Sequence, residues 1–377
     1  MLETRGHEVV PFSRHYKKNF HSEYSKYFAS SIEYEDVSIR KKISISLKLI
    51  YSTETKNTFF KLLNDIRPDI VHAHNIYGRL TTSINDVAKE KKVPVVMTLH
   101  DYKLICPSYL MLLDGKVCEK CEGKNFYYCA LKKCHKGALI PSLVYTFESY
   151  FNSLLKKYEW ASYFICPSVF LLRKHMEAGI PAEKLIHIPN FIKIENFEPN
   201  YTAENYILYA GRLSKEKGVL TLLKAVRGLD VPVRIVGDGP MRTEYETYVK
   251  ENKINSVSFE GYKSGEDLGK LFRNASFVVF PSEWYENAPM TVLEAFAYGK
   301  PVIGSNIGGI PEMVVEKETG LLFKPGDYQE LKEKIDYLLA NPSIVSQMGK
   351  KARKKVEEEY NAELHYQRLM EVYKKLV

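Results

Sequence analysis

Two glutamates at the start of one predicted helix have the type and spacing to bind a ligand that carries both sugar and phosphate. Glu286 lies in the turn after an apolar strand, and Glu294 follows eight positions later, inside the helix. The free amides at a helix N-terminus favour an anion such as phosphate. Carboxylates repel phosphate, but they accept hydrogen bonds from sugar hydroxyls. A simpler interpretation is also open, since an acidic turn complements the helix dipole without any ligand.

A second group of residues could neutralise a diphosphate. Gly211 and Arg212 directly follow a predicted strand, and Lys217 opens the next helix, in the segment GRLSKEKG. Arg212 would act as a bidentate fork and Lys217 as a point charge, although an ordinary basic turn would have the same composition. The next strand ends in VGDGP, where Gly237 and Gly239 permit a close backbone approach. Any tight turn uses glycine in this way, so this second signal is weak alone.

The elements that carry these residues are short apolar strands that alternate with helical patterns. In the first half of the chain the predicted strands are residues 7–12, 69–73, 95–99, 163–166 and 185–188. In the second half they are residues 206–210, 233–236, 257–259, 276–280, 302–305 and 320–323. This alternation predicts an α/β fold whose parallel sheets are covered by helices on both faces.

The length of 377 residues favours two domains of similar size. We divide the chain into an N-terminal domain (1–192), a polar linker (193–205), a C-terminal domain (206–360) and a terminal helix (361–377). Ligands of open parallel sheets bind at the carboxyl ends of the strands. The substrate is therefore expected in the cleft between two such doubly wound domains.

The N-terminal domain lacks the beginning that such a domain normally has. A doubly wound domain starts with a central strand, a glycine-rich turn and a helix. Residues 1–5 resemble the last turn of that helix, and Gly6 its left-handed stop. We expect the first strand and its turn to be missing, through an incomplete gene start, a different construction of the domain or a damaged fragment, and we favour the first.

Composition narrows the class and the location of the protein. Hydrophobic residues make up 45% and charged residues 27%, as in ordinary globular proteins. No apolar run approaches the roughly 18 residues of a membrane span, and the start lacks a signal-peptide core, so we expect a cytoplasmic protein. The net charge of +8 suits an acidic substrate or peripheral association with the inner face of a membrane. The run KKARKK fits a solvated helix face, and no nucleic acid partner is expected.

Four cysteines form a candidate metal site in an insertion at about residues 104–136. They are spaced as Cys118-x2-Cys121-x7-Cys129-x4-Cys134. In an intracellular protein such clustering indicates metal binding before disulfides, and a CxxC pair supplies two of the four ligands of tetrahedral zinc. We predict a structural zinc ion here, with an iron–sulfur cluster as the less favoured use of the same ligands.

The order of the second-half motifs adds a resemblance to a known family. GRLSKEKG, VGDGP, FEGY, the Glu-x7-Glu element and GSNIGGIPE together resemble the C-terminal domain of family-4 glycosyltransferases. These are retaining enzymes of the GT-B architecture, in which two Rossmann-like domains face each other across a cleft. The resemblance covers residues 206–369 well and 68–191 more loosely. Residues 343–375 resemble the family's terminal helix, which crosses back to the first domain.

The resemblance implies roles for the matching residues. It implies a catalytic group made of His100, Arg212, Lys217 and Glu286. It implies that a nucleotide-sugar donor is bound by Gly211, Gly237, Gly239, Tyr262, Asn287, Ala288, Pro289, Met290 and Glu294. Without the resemblance, a buried structural hydrogen bond would be the default interpretation of His100.

The implied reaction is sugar transfer from a nucleotide-diphosphate sugar to a glycan or polyprenyl-linked acceptor. No first-domain carboxylate stands out as a nucleophile, so we favour attack on the face that the diphosphate leaves. No Asp-x-Asp motif is present, and catalysis is expected to need no metal or other cofactor. Two alternatives remain open: a GT-B sugar-nucleotide epimerase, and a non-catalytic nucleotide-sugar binding subunit with an incomplete first domain.

Overall fold

The structure is a computed structural model that describes residues 1–31, 39–202 and 205–377, and its architecture rests on two parallel sheets. The first-half strands are β1 (Val71–His74), β2 (Val95–Thr98), β3 (Leu112–Leu113), β4 (Lys116–Val117), β5 (Ala161–Cys166) and β6 (Leu185–His187). Four of them form the first sheet in the order β1-β2-β5-β6, and β3 and β4 form a separate antiparallel hairpin.

The second sheet has six parallel strands. They are β7 (Ile207–Ala210), β8 (Val233–Val236), β9 (Val257–Gly261), β10 (Phe277–Phe280), β11 (Val302–Ser305) and β12 (Gly320–Phe323). Their order in the sheet is β12-β11-β10-β7-β8-β9. The chain therefore winds outward from β7 in one direction, returns, and winds outward from β10 in the other. The pair β7 and β10 marks the switch point, the usual ligand position in such sheets.

Helices connect the strands. In the first half they are α1 (Ile39–Ile50), α2 (Thr53–Ile66), α3 (Ser83–Lys91), α4 (Tyr127–Leu131), α5 (Leu139–Leu154) and α6 (Val169–Glu177). In the second half they are α7 (Val219–Ala225), α8 (Arg242–Glu251), α9 (Gly265–Asn274), α10 (Met290–Ala297), α11 (Ile310–Met313), α12 (Tyr328–Ala340), α13 (Pro342–Glu359) and α14 (Ala362–Tyr373). No helix in these described ranges is both long and apolar enough to cross a bilayer.

The second sheet is buried on both faces, because successive strand residues face opposite layers of helices. Leu208 and Val278 belong to one hydrophobic cluster, whereas their neighbours Ile207 and Phe277 belong to the other. Near-continuous apolar strands of this kind are typical of parallel sheets. The predicted fold class, an α/β protein with two parallel, Rossmann-like sheets, is confirmed, although among the described residues only the second sheet winds in both directions.

The last helix of the chain packs on the first sheet. Leu369 and Val372 of α14 share a cluster with Val96 and Ile165. The helical pattern predicted over residues 343–375 is interrupted between α13 and α14, where the Asn361 side chain accepts a hydrogen bond from the N–H of Leu364 at 2.8 Å. A new N-cap, which the apolar periodicity does not reveal, is the physical reason for the break.

The first residues of the chain differ from the prediction. Residues 7–12 belong to no helix or sheet, so the strand predicted there is not formed. Gly6 has φ +83° and ends a short 3₁₀ turn (Glu3–Arg5), as expected of a left-handed stop. His7 Nε2 lies 2.9 Å from the hydroxyl of Tyr366, so this segment is held by α14 and not by a neighbouring strand.

Candidate active site

The turn that carries Glu286 lies at the carboxyl end of β10, beside β7 at the switch point. Two glycines that follow β11 hold it in place. The N–H of Gly309 donates to Glu286 O at 2.7 Å, and a Cβ on Gly309 would lie 1.8 Å from Asn287 O. A Cβ on Gly308 would lie 2.4 Å from Glu286 O. Any larger residue at either position would therefore displace the turn.

Lys217 and Glu286 form an ion pair in this turn. Lys217 Nζ lies 2.5 Å from Glu286 Oε1, which also accepts a hydrogen bond from Ser282 Oγ at 2.8 Å. Glu286 is buried, and Lys217 Nζ lies 5.3 Å from the centre of the Trp284 ring. The sequence placed both charges at the site, but their direct contact was not predicted.

Arg212 and Glu294 remain without a charged partner in the ranges that the structure describes. Arg212 is exposed, and no described residue forms an ion pair or hydrogen bond with its guanidinium. Glu294 is partly buried, and that burial raises the pKa of its carboxyl. A carboxylate in this position would be stabilised by the hydroxyl groups of a ligand.

The glycines of the second domain bring two strand ends together. A Cβ on Gly237, which has φ +135°, would lie 1.9 Å from Gly211 O. A Cβ on Gly239 would lie 2.3 Å from Leu213 O. The loops after β7 and β8 therefore touch through their backbones, which is the reason for glycine at these positions. Tyr262 directly follows β9 and is 75% exposed, so its ring is free to cover a ligand.

Helix α10 begins one residue later than the sequence predicted. Pro289 is the N-cap, with φ −68° and ψ 119°, and Met290 is the first helical residue. Pro289 offers no side-chain acceptor, so the first amides of α10 have no side-chain cap. The N-terminus of the helix still faces the turn, as an anion site requires.

Asn287 and Ala288 bind the first domain. Asn287 Oδ1 accepts a hydrogen bond from Ser168 Oγ at 2.7 Å, and its Nδ2 donates to Leu99 O at 3.3 Å. Ala288 O accepts a hydrogen bond from Asn190 Nδ2 at 3.2 Å. The turn of the second domain is thus docked beside Leu99, the residue that precedes His100.

The first domain also covers the turn. The hydroxyl of Tyr102 donates to Tyr285 O at 3.1 Å, and the indole N–H of Trp284 donates to Leu110 O. Tyr102 and Leu110 lie in the loop that follows β2. The two domains are therefore closed on each other in this structure.

His100 is the end of a row of three histidines. His100 Nε2 lies 2.9 Å from His74 Nδ1, and the His74 ring stacks on His72 with 4.4 Å between centroids. His72 in turn contacts the Tyr373 hydroxyl at 2.6 Å and Thr98 Oγ1 at 2.8 Å. Burial lowers the pKa of His72 to about 3 and that of His74 to about 4, and it lowers the pKa of His100. The row is therefore neutral at physiological pH.

The sequence singled out His100 and treated His72 and His74 as weaker candidates. The signal for the row was present, since His74 ends β1 and His100 lies just past β2. Parallel strands in register bring their carboxyl ends together, and His74 pairs with Thr98 in this ladder.

Asp101, next to His100, has a structural role in this arrangement. Its Oδ1 accepts a hydrogen bond from the N–H of Lys103 at 2.9 Å, which caps the loop after β2. Burial raises the pKa of Asp101 to about 6. The loop-capping interpretation of the sequence agrees with this contact.

Glu312 is a cross-domain contact that the sequence analysis missed. Its Oε2 accepts a hydrogen bond from the N–H of Val169 at 2.8 Å, and its Oε1 accepts one from the N–H of Phe170 at 2.6 Å. A carboxylate of the second domain therefore caps helix α6 of the first, a favourable place for negative charge. The motif GSNIGGIPE contains Glu312, but nothing local in it indicates a partner so far away in sequence.

The structure adds Cys106 to the neighbourhood of the predicted cysteine set. The Cys106 thiol hydrogen-bonds with Cys121, and the Cys129 thiol with Cys134. Cys118 lines a small cavity together with Cys106 and Cys121. The contact with Cys121 lowers the pKa of Cys106. As the side chains of the described ranges stand, no three of their His, Cys, Asp or Glu residues are arranged to hold a metal ion.

A cavity of about 470 Å³ lies in the first domain, away from the site. Its lining includes Lys103, Glu148, Asn152 and Phe164. Glu286, Arg212 and His100 are not among its lining residues, so we do not assign it to the ligand of the switch point.

These features define a two-domain α/β protein with a charged site at the switch point of its second sheet. Residues 190–355 match the family described as glycosyl transferases group 1, and residues 1–196 match the family described as glycosyltransferase family 4. The second match alone spans more than half of the chain. The chain belongs to the group 1, family 4 glycosyltransferases.

Individual relatives are distant. Sulfoquinovosyl transferase SQD2 of Arabidopsis thaliana is 26% identical over 77% of this chain and 54% of that protein. O-antigen chain mannosyltransferase C of Escherichia coli is 32% identical over 42% of this chain and 44% of that protein. The chain thus matches about half the length of these curated relatives.

Solved structures show the same fold. The crystal structure of HepE from Anabaena in complex with UDP has a TM-score of 0.65 at 18% identity, and the match covers 85% of this chain and 82% of that one. Sucrose-phosphate synthase from Thermosynechococcus elongatus has a TM-score of 0.66 at 22% identity, covering 88% and 79%. The GT-B architecture predicted from the sequence is confirmed.

Proposed function

We propose that this protein transfers a sugar from a nucleotide-diphosphate sugar to a glycan or polyprenyl-linked acceptor. The observation that carries the proposal is the charge arrangement at the switch point. The Lys217–Glu286 pair lies in the turn before the uncapped N-terminus of α10, Glu294 is partly buried within that helix, and Arg212 is exposed at the end of β7, the strand next to β10. The relatives agree with this class, since HepE was crystallised with UDP and with UDP-glucose.

Each donor group has a residue suited to it. The diphosphate would lie against Arg212 and Lys217, with the amides of α10 as further donors. Glu294 would accept hydrogen bonds from the ribose hydroxyls, and Glu286 from those of the transferred sugar. The exposed ring of Tyr262 would contact the base, and the adjoining glycine backbones of the loops after β7 and β8 would leave room for the phosphates.

We propose that transfer retains the anomeric configuration. The bond from the anomeric carbon to the diphosphate oxygen breaks, and the acceptor oxygen bonds to that carbon from the same face. The acceptor proton passes to the departing diphosphate oxygen, so no protein base is required. Arg212 and Lys217 would stabilise the charge that develops on the leaving group, the role that a divalent cation has in other enzymes.

His100 would orient the transferred sugar. Its Nε2 is shared with His74 Nδ1 at 2.9 Å, so Nδ1 is the ring atom left for a sugar hydroxyl. Because the row is neutral, His100 can contribute a hydrogen bond without adding charge beside the anomeric carbon. This makes it a positioning group and not an acid.

The experiment is a donor screen followed by product analysis. A panel of nucleotide sugars is tested by thermal shift, since a bound donor stabilises the folded state. The best donor is then incubated with saccharide acceptors in the presence of EDTA, and the anomeric configuration of the product is read by NMR. A new glycoside with the donor's configuration is expected. An altered sugar nucleotide formed without acceptor would indicate an epimerase, and binding without turnover a non-catalytic subunit.

We propose that the cysteine cluster binds structural zinc, with Cys106 replacing the predicted Cys118. Cys106, Cys121, Cys129 and Cys134 form two adjoining thiol pairs, and four thiolates are a common zinc set. Purified protein should contain about one zinc per chain by mass spectrometry of the metal. Cys121→Ser should lose the metal and Cys118→Ser should keep it. Two disulfides found by thiol counting in the metal-free protein would oppose this assignment.

We place this chemistry in the cytoplasm. None of the six cysteines, all of which lie in described residues, forms a disulfide, and this is the state expected in a reducing compartment. Fractionation of the native cells, with the protein followed by antibody, tests the location.

A further inference from the structure

Helix α5 has its polar side chains inside and its apolar side chains outside. The buried residues of α5 are all polar: Ser142, Thr146, Glu148, Ser149 and Asn152. The exposed ones are apolar: Leu139, Ile140, Leu143, Phe147 and Leu154, with Ile140 at 73% and Leu154 at 78%. A helix on the surface of a globular protein normally shows the reverse distribution.

The inner contacts of α5 fix this orientation. Glu148 Oε2 lies 2.5 Å from Lys103 Nζ, and both residues are buried. Glu148 Oε1 accepts a hydrogen bond from Asn152 Nδ2 at 2.6 Å, and Asn152 Oδ1 accepts one from Thr82 Oγ1 at 2.8 Å. Rotating α5 to hide its apolar face would leave a buried charge and amide unpaired. The outward apolar face is therefore a stable property of the fold.

Neighbouring residues extend the apolar face and add positive charge before and after α5. Leu131 of α4 is 67% exposed, and Leu155 follows the end of α5 at 55%. Five exposed lysines lie in the same stretch, Lys124, Lys132, Lys133, Lys136 and Lys156, and the last of them forms an exposed ion pair with Glu159, three positions further on. Between residues 124 and 156 the sequence has one acidic residue, Glu148, and it faces inward. We call the exposed part of residues 124–156 the α5 face.

We propose that the α5 face docks on the surface of an anionic lipid bilayer. An apolar stripe with lysines beside it, and with exposed acidic residues only beyond its two ends, at Glu122 and Glu159, is the composition of a helix that lies in a membrane interface. The lysines would contact anionic headgroups while the leucines and the phenylalanine enter the acyl boundary. A protein partner would have to supply a surface that is both apolar and acidic. An anionic bilayer has both properties, so it fits the apolar side chains and the lysines together.

The position of the α5 face deepens the proposed function. The Lys103–Glu148 pair ties α5 to the loop after β2, which carries His100. Docking would therefore hold the first domain, which carries His100, at the membrane, where a polyprenyl-linked saccharide is found. This last step rests on the proposed glycosyl transfer, whereas binding of the α5 face to a bilayer does not.

The test is vesicle co-sedimentation of the full chain without donor or acceptor. Vesicles of phosphatidylglycerol and phosphatidylcholine should bind the protein, pure phosphatidylcholine should bind it more weakly, and 0.5 M NaCl should weaken binding to the anionic vesicles. Ile140→Ser and Phe147→Ser should each reduce the vesicle affinity about tenfold, because each removes a large apolar side chain from the interface. Tyr328→Ser and Tyr337→Ser are matched controls, since they are 41% and 42% exposed on α12.

The outcomes separate the two proposals. Unchanged vesicle affinity in both α5 variants, with unchanged thermal melting, would overturn the docking proposal. A dimer in sedimentation equilibrium that the same variants dissociate would assign the face to a second copy of the chain and overturn it equally. Failure to transfer sugar to a water-soluble acceptor would count against the proposed function alone.

Discussion

Lys217 Nζ and Glu286 Oε1 lie 2.5 Å apart, so the cation proposed for the diphosphate and the carboxylate proposed for the sugar neutralise each other. A buried pair of this kind is costly to break by removing one partner only. A bound donor would replace part of this contact, since its phosphate competes for Lys217 and its hydroxyls for Glu286. The pair therefore couples stability to donor binding.

We expect Lys217→Ala and Glu286→Gln each to lower the free energy of unfolding by about 1–3 kcal/mol, the range for a partly exposed partner. The double variant should lose less than the sum, because no unpaired charge remains. Denaturant unfolding of the wild type, the two single variants and the double variant measures this double-mutant cycle. Lys332→Ala is the control, since its pair with Asp336 is exposed and should contribute less than about 0.5 kcal/mol. Strictly additive losses would contradict the coupling.

Glu294→Gln should weaken nucleotide binding about tenfold or more, because hydrogen bonds to a charged acceptor are lost. The same variant should stabilise the folded state, although it weakens binding. Burial raises the pKa of Glu294, so ionisation opposes folding as pH rises above the ordinary glutamate value. The variant should therefore melt at a slightly higher temperature than the wild type near pH 7, and at the same temperature near pH 4. Calorimetric titration and melting at both pH values test this, and a lower melting temperature at pH 7 would contradict it.

The histidine row predicts a pH dependence. His72 and His74 have folded-state pKa values of about 3 and about 4, below the ordinary value of about 6.5. The unfolded state thus binds more protons, and the stability from these rings is lost as pH falls from about 6.5 toward 4. NMR of the imidazole carbons should show no titration of either ring between pH 8 and 5.

A variant tests the positioning role of the same row. His74→Asn should lower kcat about tenfold with little change in the donor KM, because only the orientation of His100 is lost. Its melting temperature should also depend less on pH between 6.5 and 4. A titration of His74 near pH 6.5 in the wild type would refute both expectations.

Glu312→Gln should loosen the closed arrangement of the domains. The bidentate cap on the amides of Val169 and Phe170 would lose its charge, at a cost of about 1 kcal/mol. Small-angle scattering should show a larger radius of gyration for the donor-free protein, and the donor KM should rise. Glu318→Gln, at an exposed position, is the matched control and should change neither quantity.

Gly309→Ala should disturb the turn that carries Glu286. The new Cβ would lie 1.8 Å from Asn287 O, although the φ of Gly309, −83°, suits any residue. The effect is therefore steric. We expect the variant either to lose at least about 2 kcal/mol of folding stability or to lose donor binding. Gly137→Ala provides the contrast, because it has φ +67° and open space around it, and should cost about 1 kcal/mol from backbone strain.

The sequence predicted the sheets and the residues at the carboxyl ends of their strands, because both follow from local patterns. The pattern of apolar strands between helical segments was enough to place Arg212, Lys217 and Glu286 at one edge of the second sheet. The distances between these side chains could not be predicted. The contacts between distant segments were not predicted. The contact between the Glu312 carboxylate and the N-terminus of α6 depends on how the two domains pack together. The presence of Cys106 in the cysteine cluster depends on how the insertion packs on the first domain.

Helix α5 illustrates the limit most clearly. Its sequence is amphipathic, with one apolar and one polar face, and the burial of Glu148 depends on Lys103, which lies 45 positions earlier. Nothing in the local pattern states which face is inside. The first turn of α10 was misplaced by one residue for a smaller reason, since Pro289 suits both the cap and the first helical position.

The chain passes between its two domains twice, and both passages lie side by side. The N–H of Ile192 donates to Tyr360 O at 2.9 Å, and Ile192 pairs with Asn361 as an isolated parallel bridge. Because the two connecting segments are hydrogen-bonded to each other at one place, this place can act as a hinge about which one domain rotates relative to the other. Opening of the site should thus be a swing about residues 192 and 360–361, with the greatest displacement at the edge farthest from them and almost none at the hinge itself.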